Sequence, residues 1–324
     1  MTLNTINMKN LIKILAVFFA VSFIGVSCSN NNDEPVMSQT IYAIASRDSD
    51  LSSLKAAIDK ADLAATLDAS VGTYTVFAPS NAAFNTFLQA NGFASLNDVP
   101  VAALKQILLN HVLATRVTSG DIATGYVSTL AKGAASSTRN LSMFINNASG
   151  VKINGISNVT KADIMATNGV IHKVDAVIGL LTIVTHALAN PNFTSLVAAL
   201  TRNDMPDFVG ILGGTASSPF TVFAPTNAAF TSLLGELGLP NLAAVPTATL
   251  ENVLKYHVVA GASVASTDLV NNMSVTTFQG GMSTITTTGG AKITDANNRV
   301  SNIILTDVQC SNGIVHAIDR VLLP

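Results

Sequence analysis

The chain has 324 residues, enough for about two domains, and a formal net charge of −2 with only 11% charged residues. Its Lys and Arg residues form no cluster, which excludes the basic stripe that a nucleic-acid-binding protein needs to neutralise phosphates. Trp is absent and aromatic residues amount to 6%, so a carbohydrate site built on exposed aromatic rings is not evident.

Residues 1–27 are predicted to be a signal peptide. Lys9 and Lys13 precede an apolar run over residues 14–26, which is shorter than the roughly 20 apolar residues of a membrane-spanning helix. A charged start followed by a small-residue end is typical of a secretory signal peptide. A buried core helix is the alternative interpretation of this run.

Cys28 is the predicted lipidation site. Residues 25–28 read Gly-Val-Ser-Cys, which resembles a bacterial lipobox, although Gly25 stands where that motif usually has Leu. Residues 28–39 are then a lipidated flexible tether, because the segment after Cys28 is too polar to bury. The acidic pair Asp33-Glu34 resembles the surface-export signal of Bacteroidota lipoproteins. The expected location is therefore the outer membrane, with the protein exposed at the cell surface.

The remainder of the sequence consists of two similar copies. Residues 75–84 recur as residues 221–230 with nine of ten positions identical, an offset of 146 residues. Residues 168–172, Asn-Gly-Val-Ile-His, recur as Asn-Gly-Ile-Val-His at 312–316. A repeat this long indicates a duplicated domain, because solenoid repeats have periods of about 20–50 residues. The predicted boundaries are residues 40–180 and 181–324, with no linker rich in Gly, Ser or Pro between them.

The first repeated box predicts a strand, a corner and a helix. Residues 75–78 are an apolar run of β-forming residues, and Pro79 lacks the N–H that a central strand needs. Ser80 or Asn81 can then cap a helix, on which Phe84, Phe87 and Leu88 share one face. We interpret this box, including Pro225 and Phe223 in the second copy, as an architectural joint.

Each copy continues with a second helix and then with strands. A helix is predicted over residues 101–111, with its counterpart ending at His257. Strands are predicted over residues 141–146, 151–154 and 170–174, with Gly and Asn between them. Helices followed by strands indicate an α+β fold.

Both boxes resemble those of the fasciclin family, whose first box reads like Thr-Val-Phe-Ala-Pro-Thr-Asn/Asp-x-Ala-Phe and whose last reads like Asn-Gly-x-x-His-x-Ile-Asp-x-Val-Leu. The resemblance extends over about residues 40–324. It implies two tandem fasciclin-type domains, each a β-sandwich-like wedge with packed helices. It also implies extracellular interaction roles, often cell adhesion or matrix contact, and no defining catalytic site.

The same resemblance implies candidate binding residues. Members of the family carry a Tyr-His motif linked to adhesion, which Tyr256-His257 matches, whereas the first copy has Asn110-His111. We therefore expect the second copy, which lies farther along the chain from the lipid, to make the main partner contact. The alternative is that His257 belongs to the core and that Tyr256 is only its neighbour, because Leu250, Val253, Leu254 and His257 share a helical face.

The remaining reactive residue types favour structural roles. His172 and His316 lie in rows of apolar strand residues, which is typical of a hydrogen-bonded core residue, and two distant His residues per copy do not form a zinc site. Asp163 and Asp307 recur beside strand-to-turn segments and can cap them. Cys310, left unpaired if Cys28 is lipidated, is expected to be a buried free thiol that behaves as a small hydrophobe.

The predicted function is a lipid-anchored cell-envelope binding or adhesion protein that contacts an extracellular or envelope protein, matrix or polysaccharide partner. A passive structural spacer of the envelope is the alternative. A hydrolytic enzyme is less favoured, because the sequence contains no Gly-x-Ser-x-Gly element. No cofactor and no metal are expected.

Overall fold

The computed structural model describes residues 39–69 and 72–324. The predicted signal peptide, the lipidation site Cys28 and the tether up to residue 38 lie outside the described residues. Residues 39–324 form one compact unit, which contains both copies of the repeat.

In the first copy all the helices precede the strands except for β1, which lies between the third and fourth helices. Its helices are α1 (Ile41–Arg47), α2 (Ser52–Lys60), α3 (Ala64–Asp68), α4 (Asn81–Ala90) and α5 (Val101–Leu109). Its strands are β1 (Tyr74–Pro79), β2 (Val112–Leu113), β3 (Gly125–Gly133), β4 (Ser136–Asn146), β5 (Lys152–Ile153), β6 (Ser157–Ala166) and β7 (Gly169–Val174).

The second copy repeats this order. Its helices are α6 (Ile183–Ala189), α7 (Thr194–Leu200), α8 (Phe208–Gly213), α9 (Asn227–Leu237) and α10 (Thr247–Tyr256). Its strands are β8 (Phe220–Pro225), β9 (Val258–Ala260), β10 (Met273–Thr276), β11 (Met282–Thr286), β12 (Lys292–Thr294), β13 (Val300–Cys310) and β14 (Gly313–Ile318).

Each copy builds one seven-stranded sheet. The strand order is β2-β1-β7-β6-β5-β4-β3 in the first copy and β10-β11-β12-β13-β14-β8-β9 in the second. The parallel pairs are β1 with β7 and β8 with β14, and the other neighbouring strands run antiparallel. The two boxes of the repeat thus become the parallel pair of each sheet, second and third from one edge, and the α+β prediction is confirmed.

The first box forms the predicted joint. The strand β1 ends at Pro79, and the hydroxyl of Ser80 caps α4 by accepting a hydrogen bond from the N–H of Ala83 at 3.2 Å. Thr226 caps α9 in the same way. The side chain of Asn81 accepts a bond from the N–H of Ser53 at 2.9 Å and so ties α4 to α2. Ser80, not Asn81, is therefore the cap.

The second box closes the sheet at the other strand of the parallel pair. Asn168 accepts a hydrogen bond from the N–H of Ile41 and donates to the carbonyls of Leu67 and Ala69. A side chain at Gly169 would place its Cβ 2.1 Å from the carbonyl oxygen of Tyr74, which explains why only glycine fits. Asn312 and Gly313 repeat both features.

Alternate residues of β1 and β8 serve two cores in each copy. Val76 and Ala78 face the core under the helices, whereas Phe77 faces a smaller core on the other side. In β8, Ala224 joins the helical core and Phe223 the smaller one. Each half of the molecule is therefore held by two apolar layers.

The structure extends the predicted elements. The helix α5 ends at Leu109, so Asn110 is its C-terminal cap and His111 lies beyond it. The strands β3 and β6 were not predicted; β6 carries several exposed residues and a bulge near Asp163, whose φ is 59°. A bulge and exposure together obscure the alternation by which a strand is recognised.

The two copies contact each other through β4 and β13. Arg139 donates hydrogen bonds to the side chain of Gln309 at 3.0 Å and to the carbonyl of Ser263 at 2.6 Å. The N–H of Gln309 donates to the hydroxyl of Ser142 at 3.0 Å. A Cβ on Gly133 would lie 2.7 Å from the Cα of Ser311, so the backbones meet closely. The chain passes between the copies without a loose linker.

Candidate interaction site

His111 lies just beyond α5 and His257 just beyond α10, and each binds backbone groups on both sides of its ring. Nδ1 of His111 donates to the carbonyl of Ile107 at 2.7 Å, and Nε2 accepts from the N–H of Ile178 at 2.8 Å. His257 makes the same pair of bonds to Val253 and Leu322, at 2.7 and 2.9 Å. An imidazole that donates through Nδ1 and accepts through Nε2 is neutral.

Burial explains why these rings stay neutral. His111 and His257 are 1% and 3% exposed, and desolvation lowers the pKa of each imidazole to about 4. The bonded backbone groups lie on the helix and on the segment that leaves the last strand. Each histidine therefore braces a helix against the chain end of its own copy.

Asn110 is also an internal brace. It is 1% exposed, its amide donates to the carbonyl of Gly179 at 2.9 Å, and its side-chain oxygen accepts from the hydroxyl of Thr129 at 3.2 Å. The structure thus brings Asn110 and His111 together against residues 178 and 179, but it leaves neither side chain at the surface.

Tyr256 is buried as well, which corrects the expectation that it offers contact area to a partner. Its side chain is 1% exposed and packs in the smaller core of the second copy. The hydroxyl donates to the carbonyl of Met282 at 2.6 Å and accepts from the N–H of Ala296 at 3.0 Å. The ring and the hydroxyl of Tyr256 are therefore both occupied by contacts within the second copy.

A serine, an aspartate and a histidine meet in each copy, but not in the order that catalysis uses. The hydroxyl and N–H of Ser119 both donate to the carboxylate of Asp163, and these bonds lower the pKa of that carboxyl. His172 is fully buried, accepts from the N–H of Asp163 at 3.3 Å and donates to the carbonyl of Val117 at 2.9 Å. A hydrolase needs the serine hydroxyl on the histidine, whereas here it lies on the carboxylate.

The second copy repeats this cluster with Ser266, Asp307 and His316. The aspartates have left-handed backbones, with φ of 59° and 62°, and hold the preceding loop against the strand bulge. The two clusters are structural links between a loop and β6 or β13. The sequence had predicted that these aspartates cap strand-to-turn segments; they lie instead within β6 and β13 and bind a loop that is distant in sequence.

Cys310 is a buried free thiol, as predicted. It is 0% exposed, and burial raises the pKa of the thiol far above its ordinary value. Within residues 39–69 and 72–324, no group of three or more His, Cys, Asp or Glu side chains could hold a metal ion. The helices of this same part of the chain include none that is long and apolar enough to cross a membrane.

An open groove of about 490 Å³ lies on the first copy, beside the segment that Asn110 holds. Its walls come from α4, α5 and residues 177–180, and none of its lining side chains is charged. The apolar lining residues are Phe87, Phe93, Val99, Pro100, Ala103, Ile107, Ile156, Val177 and Leu180. Ile156 is 53% exposed on its rim. We call this the α4–α5 groove; its outline depends on tertiary packing, and the sequence carried no signal for it beyond the position of Asn110.

The fasciclin domain family model matches residues 49–180 and 191–324. These two matches cover most of the sequence, and the chain therefore belongs to the fasciclin domain family, with two such domains in tandem.

Several known proteins are similar in sequence or structure to all or part of the two domains. Human periostin is 27% identical over 256 residues, which is 78% of this chain and 28% of periostin. Immunogenic protein MPB70 of Mycobacterium bovis is 34% identical over 140 residues, 42% of this chain and 65% of that protein. A domain pair from the insect cell adhesion molecule Fasciclin I has a TM-score of 0.48 at 21% identity, covering 83% of this chain and 92% of that one.

Proposed function

We propose that the protein is a lipid-anchored protein of the cell envelope that binds an uncharged, apolar segment of an extracellular or envelope protein in the α4–α5 groove. The observation that carries this proposal is the groove itself, which is open, lined by apolar side chains and about 490 Å³ in volume, beside the Asn110–His111 brace. Exposed apolar surface bordered by polar residues is typical of protein interaction sites. Membership of the fasciclin domain family supports an extracellular interaction role.

The lining favours a protein partner over a glycan or a nucleic acid. A partner segment with charges would lose its hydration in a groove whose lining offers no opposite charge. Phe87 and Phe93 are only partly exposed, so neither ring is fully open to stack against a sugar. The proposed contact therefore lies on the first copy, whereas the sequence had favoured the second.

The groove can be tested with a pair of substitutions at equivalent positions of the repeat. Ile156 and Val300 precede the matching serines Ser157 and Ser301, and they are 53% and 47% exposed. I156D places a charge on the groove rim, whereas V300D places the same charge on the second copy. We expect I156D to weaken binding to an immobilised matrix or envelope protein at least tenfold and V300D to leave it unchanged, as measured by surface plasmon resonance.

Lipid anchoring is a separate part of the proposal. Metabolic labelling of the full-length chain with a fatty-acid analogue should mark the wild type and not C28A. Equal labelling of the two would remove Cys28 as the anchor but would leave the groove hypothesis intact.

A passive spacer of the envelope is the second candidate function, and the burial of Tyr256 favours it. The two expected contact pairs, Asn110-His111 and Tyr256-His257, lie in the interior. This is what we expect of a protein that only separates other components of the envelope. Failure of the wild type to bind any envelope or matrix fraction would argue for the spacer, whereas equal binding by I156D and the wild type would place the contact outside the α4–α5 groove.

A further inference from the structure

An open pocket of about 290 Å³ lies on the second copy, between α9, the start of β13 and the two residues that follow β14. Its lining is mostly polar, in contrast to the apolar lining of the α4–α5 groove. The polar lining residues are Ser232, Glu236, Asn302, Asp319 and Arg320. We call this the Glu236 pocket.

Two arginines hold Glu236 at the wall of the pocket. Nη2 of Arg299 donates to one carboxylate oxygen at 2.6 Å, and Nη2 of Arg320 donates to the other at 2.8 Å. The bond from Arg320 lowers the pKa of Glu236, so the carboxylate is ionised at neutral pH and only accepts hydrogen bonds. The side chains of Glu236 and Arg320 are 39% and 41% exposed, and an ion pair this open to solvent adds little to stability. Stability alone therefore does not account for this network.

The first copy shows that the fold does not need these charges. Asn158 bonds to the carboxylate of Asp175 through its N–H and its side-chain amide, and Asn302 bonds to Asp319 in the same way. The frame of the pocket is therefore common to both copies. The residues of the first copy that correspond to the glutamate and the two arginines are small: Ala90, Gly155 and Ala176. The second copy has thus added three charged side chains to a shared frame.

The chemistry of the pocket favours a neutral, hydroxyl-rich ligand. An apolar ligand would remove water from the charged side chains without replacing its hydrogen bonds. An anion would meet Glu236 and Asp319, and a cation would meet Arg320, because two carboxylates and two guanidinium groups leave the site without net charge. Arg320 donates only one of its five guanidinium N–H groups within the described part of the chain. Hydroxyl groups both donate and accept, which matches this mixture of carboxylate acceptors and guanidinium donors.

We propose that the Glu236 pocket binds one neutral sugar residue of a glycan, whose hydroxyl groups bond to Glu236, Arg320 and Asn302. Pockets for small ligands begin at about 300 Å³, so the volume suits a single sugar ring. The lining contains no aromatic ring, and recognition therefore rests on hydrogen bonds and not on stacking. This site is separate from the α4–α5 groove and does not depend on protein binding there.

The test uses an array of short neutral oligosaccharides built from glucose, galactose, mannose, xylose or N-acetylglucosamine. We expect the full-length chain to bind at least one of them. E236A/R320A, which installs the two alanines of the first copy, should weaken that binding at least tenfold. E251Q is the matched control, because Glu251 is another glutamate of the second copy that pairs with a cation, Lys255. It should bind like the wild type.

A second measurement locates the ligand in the wild type. In the ¹⁵N-labelled protein, the bound oligosaccharide should shift the Nε–H resonance of Arg320 saturably, which tests the site even if the double variant fails to fold. The proposal is wrong if none of these oligosaccharides binds, or if E236A/R320A binds as tightly as the wild type. Binding of sulfated or carboxylated sugars alone would also overturn it, because that result would mark an anion site. Failure of the α4–α5 groove to bind protein would leave these results unaffected.

Discussion

Buried histidines of this protein act through hydrogen bonds to backbone, and two different arrangements recur. His111 and His257 donate through Nδ1, whereas His172 and His316 accept through Nδ1 and donate through Nε2. Both arrangements need a neutral ring, because a protonated imidazole has no acceptor. Protonation would therefore break one bond at every one of these positions.

This requirement predicts a loss of stability in mild acid. Desolvation holds the pKa of His111 and His257 at about 4 in the folded chain, whereas an unfolded histidine has a pKa of about 6.5. Below pH 6.5 these histidines bind protons in the unfolded chain but stay neutral in the folded chain. The free energy of unfolding is therefore largest above that pH and falls as the pH drops toward 4. The loss approaches about 3 kcal/mol for each histidine.

Urea denaturation at several pH values between 7 and 4.5 measures this loss. H111Q and H257Q should each flatten the pH dependence, because each removes one titrating ring. Carboxylates with lowered pKa values, such as Asp163 and Asp204, act in a more acidic range. Equal stability at the two ends of the range would contradict the assignment of neutral, desolvated rings.

Tyr256 provides a second prediction at the scale of one residue. Y256F keeps the ring in the smaller core but removes the hydroxyl, which leaves the carbonyl of Met282 and the N–H of Ala296 unpaired. We expect the free energy of unfolding to fall by about 1–3 kcal/mol, measured by chemical denaturation. Partner binding should be unchanged in the folded variant, and a binding defect with normal stability would restore Tyr256 as a contact residue.

The burial of Tyr256 could not be predicted from the periodicity of its helix alone. The apolar face of α10 carries Leu250, Val253 and Leu254, so helical periodicity places Tyr256 to one side of it. That side is covered by the smaller core, which strands distant in sequence create. The burial of His257 follows from the local pattern, whereas that of Tyr256 depends on the curl of the whole sheet.

Among the elements, the repeated boxes are the best-defined part of the fold. The two copies of the first box combine strong local signals: a β-forming run, a proline that ends it, and a Ser or Thr cap. The strands β3 and β6 lack such signals, because their exposed residues and bulges depend on the opposite copy or on loops. The sequence could therefore predict the two parallel strands and parts of β4 and β5, but not β3 and β6.

The joint can be tested at β8. Phe223 is 2% exposed, and its ring lies 5.8 Å from that of His316. F223A should lower the free energy of unfolding by about 3–5 kcal/mol, because it removes a buried aromatic side chain and leaves a cavity. F278A, at a phenylalanine that is 40% exposed, is the control and should cost much less. An unchanged melting temperature in F223A would place the box outside the core.

On the scale of the whole molecule, the two copies are joined by residues that the repeat does not share. Tyr126 pairs across β3 and β4 with Phe144, and the matching register of the second copy pairs Ser274 with Thr284. Tyr126 packs on the helical core of the second copy. The sequence showed that no linker rich in Gly, Ser or Pro separates the copies. It did not show the contacts between the copies, because these contacts are made by residues that differ from one copy to the other.

We expect these contacts to hold one orientation in solution. Small-angle scattering of the fragment from Ser29 onward should fit a single arrangement of the two copies. The double variant Y126A/R139A removes the aromatic contact and the bonds to Gln309 and Ser263, and it should broaden the range of distances. S274A, at the matching position of the second copy, should not. A broad range in the wild type would refute a fixed orientation.

The contact between the copies joins unlike surfaces, one from β3 and β4 and the other from α6 and β13. A head-to-tail contact of this kind can in principle propagate without end, so that identical modules grow into a filament. Here the second copy carries Ser274 and Thr284 where the first presents Tyr126 and Phe144, and the first copy carries Ile44 and Met165 where the second has His186 and Gln309. The second copy therefore lacks the aromatic pair that the first copy brings to the contact, so the contact is specific to this order of the two copies and a further identical copy would not repeat it.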